Sequence, residues 1–413
     1  MTKLEELIQA LCPDGVEYKP LGDIATISRG GSFQKKDYTE NGVPCIHYGQ
    51  IYMYYGLFAE KTLTYISEEV AQKQKFAEPG DIIMAVTSEN MDDVCKCMAW
   101  LGSKKIAVSG HTAIIHHSIN PKYLVYWLSS TMFYQQKVKI AHGTKVIEVA
   151  PARLADIILP VPPLPVQREI VRILDNFTEL TAELTAELTA RKQQYAYYRD
   201  KLLTFENFTE WRTLDDVIVS LNTGLNPRQF FKLNSDDAHN YYVTIREIQN
   251  GTIVVSDKTD RINDDALRLC NNRSNLEVGD VLFSGTGTIG ETAVISEPPT
   301  NWNIKEGIYV IKPRKEVLYS RYLMYILRTD ALRSAIFKKV AGGTVKSIPM
   351  AEMRNLRVPV PSLKIQKRLV EVLDNFDSIC TDLNIGLPAE IEARQKQYEY
   401  YRDKLLTFRE ISN

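Results

Sequence analysis

The chain has 413 residues, 44% hydrophobic and 24% charged, with a formal net charge of −1 at pH 7. That is room for two or three ordinary globular domains, and no run of about 18 apolar residues is present to span a membrane. The balanced charge argues against a lone, tight nucleic-acid binder, whose phosphate grip needs concentrated Lys and Arg; local basic patches, or a partner that brings the charge, stay open.

The opening MTKLEELIQALCPDG lacks an apolar signal core and reads as the start of a cytoplasmic protein. Six cysteines are scattered, with only Cys95 and Cys97 close together, so reduced, buried thiols are expected and a zinc site is not. Over residues 1–159, β-branched runs such as GDIIMAV and HTAIIHH alternate with Gly, Asn and Asp turns. They predict short strands in a curved, mostly antiparallel sheet, an α+β class. PKYLVYWLSSTMFYQQKV, with apolar residues at helical spacing, predicts one helix packed on that sheet.

The prolines of ILPVPPLP then act as a rigid hinge. A stripe of Ile170, Ile173, Phe177, Leu180, Leu184 and Leu188 follows, continued by Tyr195, Tyr198 and Leu202. It predicts a spacer helix over 160–205, about 60 Å long, with a seam for a second helix. Its middle holds TAEL twice in tandem, Thr181 to Leu184 and Thr185 to Leu188.

Residues 206–358 repeat the first region at an offset near 200. LGDIATISRGG echoes LDDVIVSLNTG, PGDIIMAVTS echoes VGDVLFSGTG, YLVYWL echoes YLMYIL, and HGTKV echoes GGTVK. Each echo is weak, but their shared order is strong evidence of duplication. LYSRYLMYILRTDALRSAIF again predicts one helix. Residues 359–413 repeat the spacer helix, with Tyr398, Tyr401 and Leu405 in the seam. Gly386 and Pro388 predict a break before a restart around Ala389. If a two-fold axis relates the repeats, the helices pair as an antiparallel coiled coil.

Catalytic motifs are wanting. Gly285 to Gly290 spells GxGxxG after an apparent strand, but ETAVI follows where a dinucleotide site needs a helix, so a strand-to-strand turn is expected. Glu291 stands where a P-loop needs Lys. No NPPY-like methyltransferase signature or PD…(D/E)xK nuclease pattern occurs. His116 and His117, adjacent in a strand, face opposite ways and suit no shared metal.

Residues suited to DNA recur at corresponding loops. The first region offers Arg29, Ser32, Lys35, Lys36, Tyr48, Thr87, Ser88, Thr144 and Lys145. The second offers Thr223, Asn226, Arg228, Thr244, Arg246, Ser284, Thr286, Thr344 and Lys346. Arg and Lys read guanine or hold phosphate, Asn suits adenine, and Ser and Thr reach either.

VPPLPVQREIVRILDNF with RKQQYAYYRDKLLTF, repeated as VPSLKIQKRLVEVLDNF with RQKQYEYYRDKLLTF, closely resembles the specificity subunit of type I restriction–modification systems. The TAEL tandem resembles the subgroup that carries such repeats. The resemblance covers the whole chain and implies a non-catalytic reader of double-stranded DNA, each variable domain taking half of a split target. It implies no cofactor in this chain. Two modification subunits would bind S-adenosylmethionine, methylate adenine and clamp on the helices; two restriction subunits would use ATP and magnesium. The competing readings are a stand-alone methyltransferase or nuclease and a coiled-coil scaffold without DNA specificity.

Overall fold

The computed structural model describes residues 2–205, 209–343, 345–381 and 386–411. Contacts divide the chain into two units, Met1–Glu183 with Ile391–Asn413, and Leu184–Glu390. Each unit thus joins one sheet-rich region to the start of one long helix and the end of another.

In the first unit one five-stranded sheet runs Ala25–Arg29, Thr112–His117, Ile82–Ala85, Cys97–Trp100 and Phe58–Ala59. Only its last pair is parallel. A second five-stranded sheet again has one parallel pair, Val43–Ile46 with Ile106–Val108. Ile82–Ala85 is buried at every residue, as a continuous apolar run covered on both faces should be. The second unit repeats this on a smaller scale. An antiparallel sheet runs Ile218–Thr223, Ile308–Pro313, Val281–Ser284 and Thr292–Val294. Beside it, Asn240–Val243 pairs in parallel with Trp302–Ile304. The α+β class and mostly antiparallel sheets agree with the sequence.

One expectation is corrected twice over. The single helix expected in each region is two, Pro121–Leu128 then Thr131–Ile140, and Ser320–Leu327 then Asp330–Phe337. Ser130 accepts the Phe133 N–H and Thr329 the Leu332 N–H, each capping the second helix. A hydroxyl satisfies a helix-start donor better than a continued turn would, so apolar periodicity runs on through a real break.

The motif residues fasten each sheet region to its helix. Gln167 is 2% exposed; it accepts the Asn120 N–H at 2.8 Å and donates to the Pro162 carbonyl at 2.7 Å. Gln366 does the same with Tyr319 and Pro361. The Tyr123 and Tyr322 hydroxyls donate to the Pro160 and Pro359 carbonyls, both at 3.0 Å, fixing the proline hinges. Asp175 accepts the Tyr126 hydroxyl and the Lys122 ammonium, each at 2.7 Å. Asp374 accepts from Tyr325 and Arg321 in the same way.

The end of the opposite helix completes each unit. In the first, Phe177 stacks on Tyr401 at 5.5 Å, and Asp403 accepts the Thr131 N–H. In the second, Tyr198 stacks on Phe376 at 6.0 Å, and Asp200 accepts the Asp330 N–H. Both carboxylates sit at helix N-termini, where negative charge is favoured.

The first long helix, Leu164–Leu202, is unbroken for 39 residues through both TAEL units. Its counterpart is Leu363–Thr381 and Leu387–Leu405, with Pro388 in the first turn of the restarted helix, two residues ahead of the expected restart. The kink expected between them falls on Asp382–Ile385, outside the described residues. All six cysteines are free and buried, and burial pushes the Cys95 thiol up to about 12, so they stay protonated and inert.

Replacing Gln167 with Ala strands a buried N–H and a buried carbonyl. The chain is expected to lose about 2–3 kcal/mol in equilibrium denaturation, whereas a surface change such as Glu179→Ala should cost under about 0.5 kcal/mol.

Candidate nucleic-acid interface

The recognition candidates lie on loops and on the ends of the strands and short helices that flank them. In the first unit Gln74 accepts the N–H groups of Ser32 and Phe33, at 2.7 and 3.2 Å, and Phe33 is buried beneath. This holds the segment carrying Ser32, Lys35 and Lys36, all exposed. Among the described residues neither lysine makes an ion pair. Across a cleft lies Tyr48, half-buried, whose N–H donates to the Ser109 hydroxyl at 2.9 Å.

A second cluster is built by strand pairing. Thr87–Ser88 pairs antiparallel with Ile147–Glu148, which brings the hairpin of exposed Thr144 and Lys145 beside it. Arg29 reaches Glu148 at 3.4 Å. Gly143 makes the hairpin possible: at φ +107°, a Cβ there would lie 2.0 Å from the Val146 carbonyl oxygen. The second unit repeats the arrangement. Thr286 bridges Ser347, the Gly287 N–H donates to the Lys346 carbonyl, and Gly342 at φ +112° turns the hairpin. Exposed Thr286 and Lys346 are thereby neighbours. Arg246 is 59% exposed and paired with Asp260 at 2.9 Å.

Several candidates prove to be building parts. The Thr223 hydroxyl is buried, donating to Ile308 and accepting from Gly307. The Ser284 hydroxyl donates to Thr288 and accepts from Glu291. Thr87 is buried and Thr244 caps the short helix Ile245–Glu247. The hydroxyls of Thr223 and Ser284 are thus already engaged with backbone groups in forming turns. Asn226 and Ser88 are half-buried. Thr344 and the Arg228 side chain lie outside the described residues.

Gly285 to Gly290 is a hairpin turn between antiparallel strands, as expected, and offers no helix to a dinucleotide. His116 is exposed against Asp81 at 2.7 Å, while His117 faces inward. Among the described residues no three His, Cys, Asp or Glu side chains gather as a metal site. Along the spacer seam Tyr398 is buried, and Leu184, Leu188, Tyr195, Leu202 and Leu405 are half-buried. Tyr198 and Tyr401 stack on phenylalanine yet stay 37% exposed, and Leu180 is 46% exposed. The seam is thus less fully covered than its periodicity implies.

Two stretches, residues 13–191 and 209–393, match the model of the type I restriction modification DNA specificity domain. The chain belongs to that family. The specificity subunit of the type I restriction enzyme EcoR124I/EcoR124II from Escherichia coli is 31% identical over 99% of this chain and 97% of its own length. A putative type I specificity subunit from Haemophilus influenzae is 28% identical over 98% of both chains. A solved chain from a study of type I assembly and conformational transition shares the fold, with a TM-score of 0.63 at 16% identity over 96% of this chain and 98% of that one. As a type I specificity subunit the chain recognises DNA sequence and is not itself catalytic.

Two structural features of this surface escape sequence reading: the Gln74 clamp and His47. Both are single polar residues in irregular loops with no periodicity to flag them. His47 caps Tyr48–Met53, its Nδ1 accepting the Gly49 N–H. Its pKa is lowered from 6.5 by burial first, then by Lys35 and His111. Below about pH 6.5 the unfolded chain therefore takes up a proton that the folded chain refuses, and stability falls. His117, lowered mainly by burial, acts in the same sense. His47→Asn keeps a capping acceptor and is expected to shrink, without abolishing, the stability loss in denaturation midpoints between about pH 7.5 and 5.5.

Proposed function

We propose that the two sheet-rich regions, residues 1–159 and 206–358, each read one half of a split DNA target, with the helices of 160–205 and 359–413 fixing the unread gap. The observation that supports this is the duplicated loop set mounted on the same Gln–Tyr–Asp fastening in both units. Duplicated loops of differing residues suit two unlike half-sites. The exposed members contact DNA, with half-buried Tyr48 beside them: Arg29, Ser32, Lys35, Lys36, Thr144 and Lys145 in one unit, and Arg246, Thr286 and Lys346 in the other. Asn226, Arg228, Ser88 and Thr344 are further candidates for DNA contact.

The E. coli relative is the specificity subunit of a type I restriction enzyme. By this likeness two modification subunits dock on the helices, bind S-adenosylmethionine and methylate adenine. Two restriction subunits supply ATP- and magnesium-dependent translocation and cleavage, and the assembly works in the cytoplasm. Among the described residues no helix is long and apolar enough to cross a membrane. Methylated adenines should be mapped in DNA from cells making this chain with its modification subunit. A two-part motif modified on both strands is expected; one continuous motif would refute the split reading.

The TAEL tandem sets the gap, as in the subgroup that carries such repeats. One TAEL adds about 6 Å and a net rotation of about 40° to a helix, while one base pair adds about 3.4 Å and about 35°. A third TAEL after Leu188 is expected to widen the gap by about one base pair, the rotational match deciding. Both half-sites stay as they were. An unchanged gap in the methylation map would defeat the ruler.

A further inference from the structure

The cleft between Ser32–Lys36 and Tyr48 has a volume of about 510 Å³ and is also lined by Gly110 and His111. His111 is exposed, its ring 5.2 Å from that of Tyr48. Its backbone has φ +61°, the left-handed region that only a few per cent of non-glycine residues adopt, histidine more readily than most.

The second unit shows what this turn needs. Residues 109–111 join Ile106–Val108 to Thr112–His117 with His111 third; the matching three-residue turn joins Trp302–Ile304 to Ile308–Pro313, and there the third position is Gly307, φ +92°. The backbone bonds correspond. The Ser109 N–H donates to Ile46 and the Lys305 N–H to Val243; the His111 carbonyl accepts from Val86 and the Gly307 carbonyl from Gly285. At Gly307 a Cβ would lie 2.8 Å from that of Thr286, so no side chain fits. The turn is therefore complete with glycine, and the imidazole at 111 is not needed to build it. A non-glycine side chain in this conformation, lining a cleft that also holds Lys35 and Lys36, points to a use beyond building the turn.

We propose that His111, braced on Tyr48, contacts a base edge and discriminates one base pair of the first half-site. An imidazole offers one donor and one acceptor when neutral, suited to purine N7 or O6 in the major groove. Lys35 and Lys36 across the cleft supply phosphate contacts that hold it in register. The inference rests on the split-target reading.

The test is His111→Gly in the full chain, co-expressed with its modification subunit, with methylated adenines mapped beside wild type. The substitution suits the backbone, so its thermal midpoint should not fall. The expected result is a roughly tenfold loss of preference at one position of one half-site, with the gap and other half-site intact. His111→Asn, which also tolerates the left-handed region, should change that same position. A wild-type two-part motif that both variants reproduce unchanged would overturn the role of His111 alone. Absence of any two-part motif in wild type would instead overturn the reading beneath it. A lowered midpoint in His111→Gly with an unchanged motif would make the residue structural, and that too overturns the proposal.

Discussion

Everything this protein does at its loops depends on two carboxylates, Asp175 and Asp374, that tie a sheet region to a helix. Each accepts a tyrosine hydroxyl and a cationic side chain from the helix packed on its sheet. An apolar contact could bury as much surface but would tolerate sliding or rotation. A charge-assisted bond of this kind is short and directional, so it fixes where the region sits along its helix and how it is turned. The buried Gln167 and Gln366 fix the linker in the same way, each bridging backbone groups 42 residues apart in sequence, Asn120 to Pro162 and Tyr319 to Pro361.

The duplication repeats function with altered chemistry. Asp81 and Asp280 occupy matching places; each accepts a backbone N–H in its own turn, from Glu78 and Glu277, both at 2.8 Å. Yet Asp81 pairs with His116 and Asp280 with Lys312. The shared bond closes the turn ahead of the central strand, and the unshared one gives the buried carboxylate a side-chain partner, an imidazole for Asp81 and an ammonium for Asp280. Burial raises the pKa of Asp280 and Lys312 opposes that rise. The frame thus tolerates different partners where only a side-chain hydrogen-bond partner is required, and repeats the same residue where geometry is required.

That distinction explains what the sequence made legible. The repeat order, the long helix and the proline hinges were readable because each leaves a run or a period. The motif positions Asp175, Asp374, Asp200 and Asp403 were visible within LDNF and YYRDK, but their work was not, because each reaches a partner far away in sequence. Periodicity failed at Ser130 and Thr329, where a single hydroxyl outweighs a continuing apolar pattern. It also could not separate Thr223 and Ser284, whose hydroxyls close turns, from Thr286, which stays exposed a few residues away. Residue type suits both uses; only burial divides them.

The state of the loop arginines bears on how affinity and specificity divide on the proposed reading. Arg29 and Arg246 are more than half exposed, yet each guanidinium already meets a carboxylate, Glu148 or Asp260. A paired arginine adds little net field at long range, and exchanging its carboxylate for a phosphate gains little. Against a base edge the pairing is useful, because it holds the planar fork in one orientation before DNA arrives. Loops arranged so discriminate more than they attract. With a net charge of −1 over the whole chain, a sequence-independent grip on phosphate is left to local groups such as Lys35 and Lys36, while paired arginines of this kind suit the choice of site.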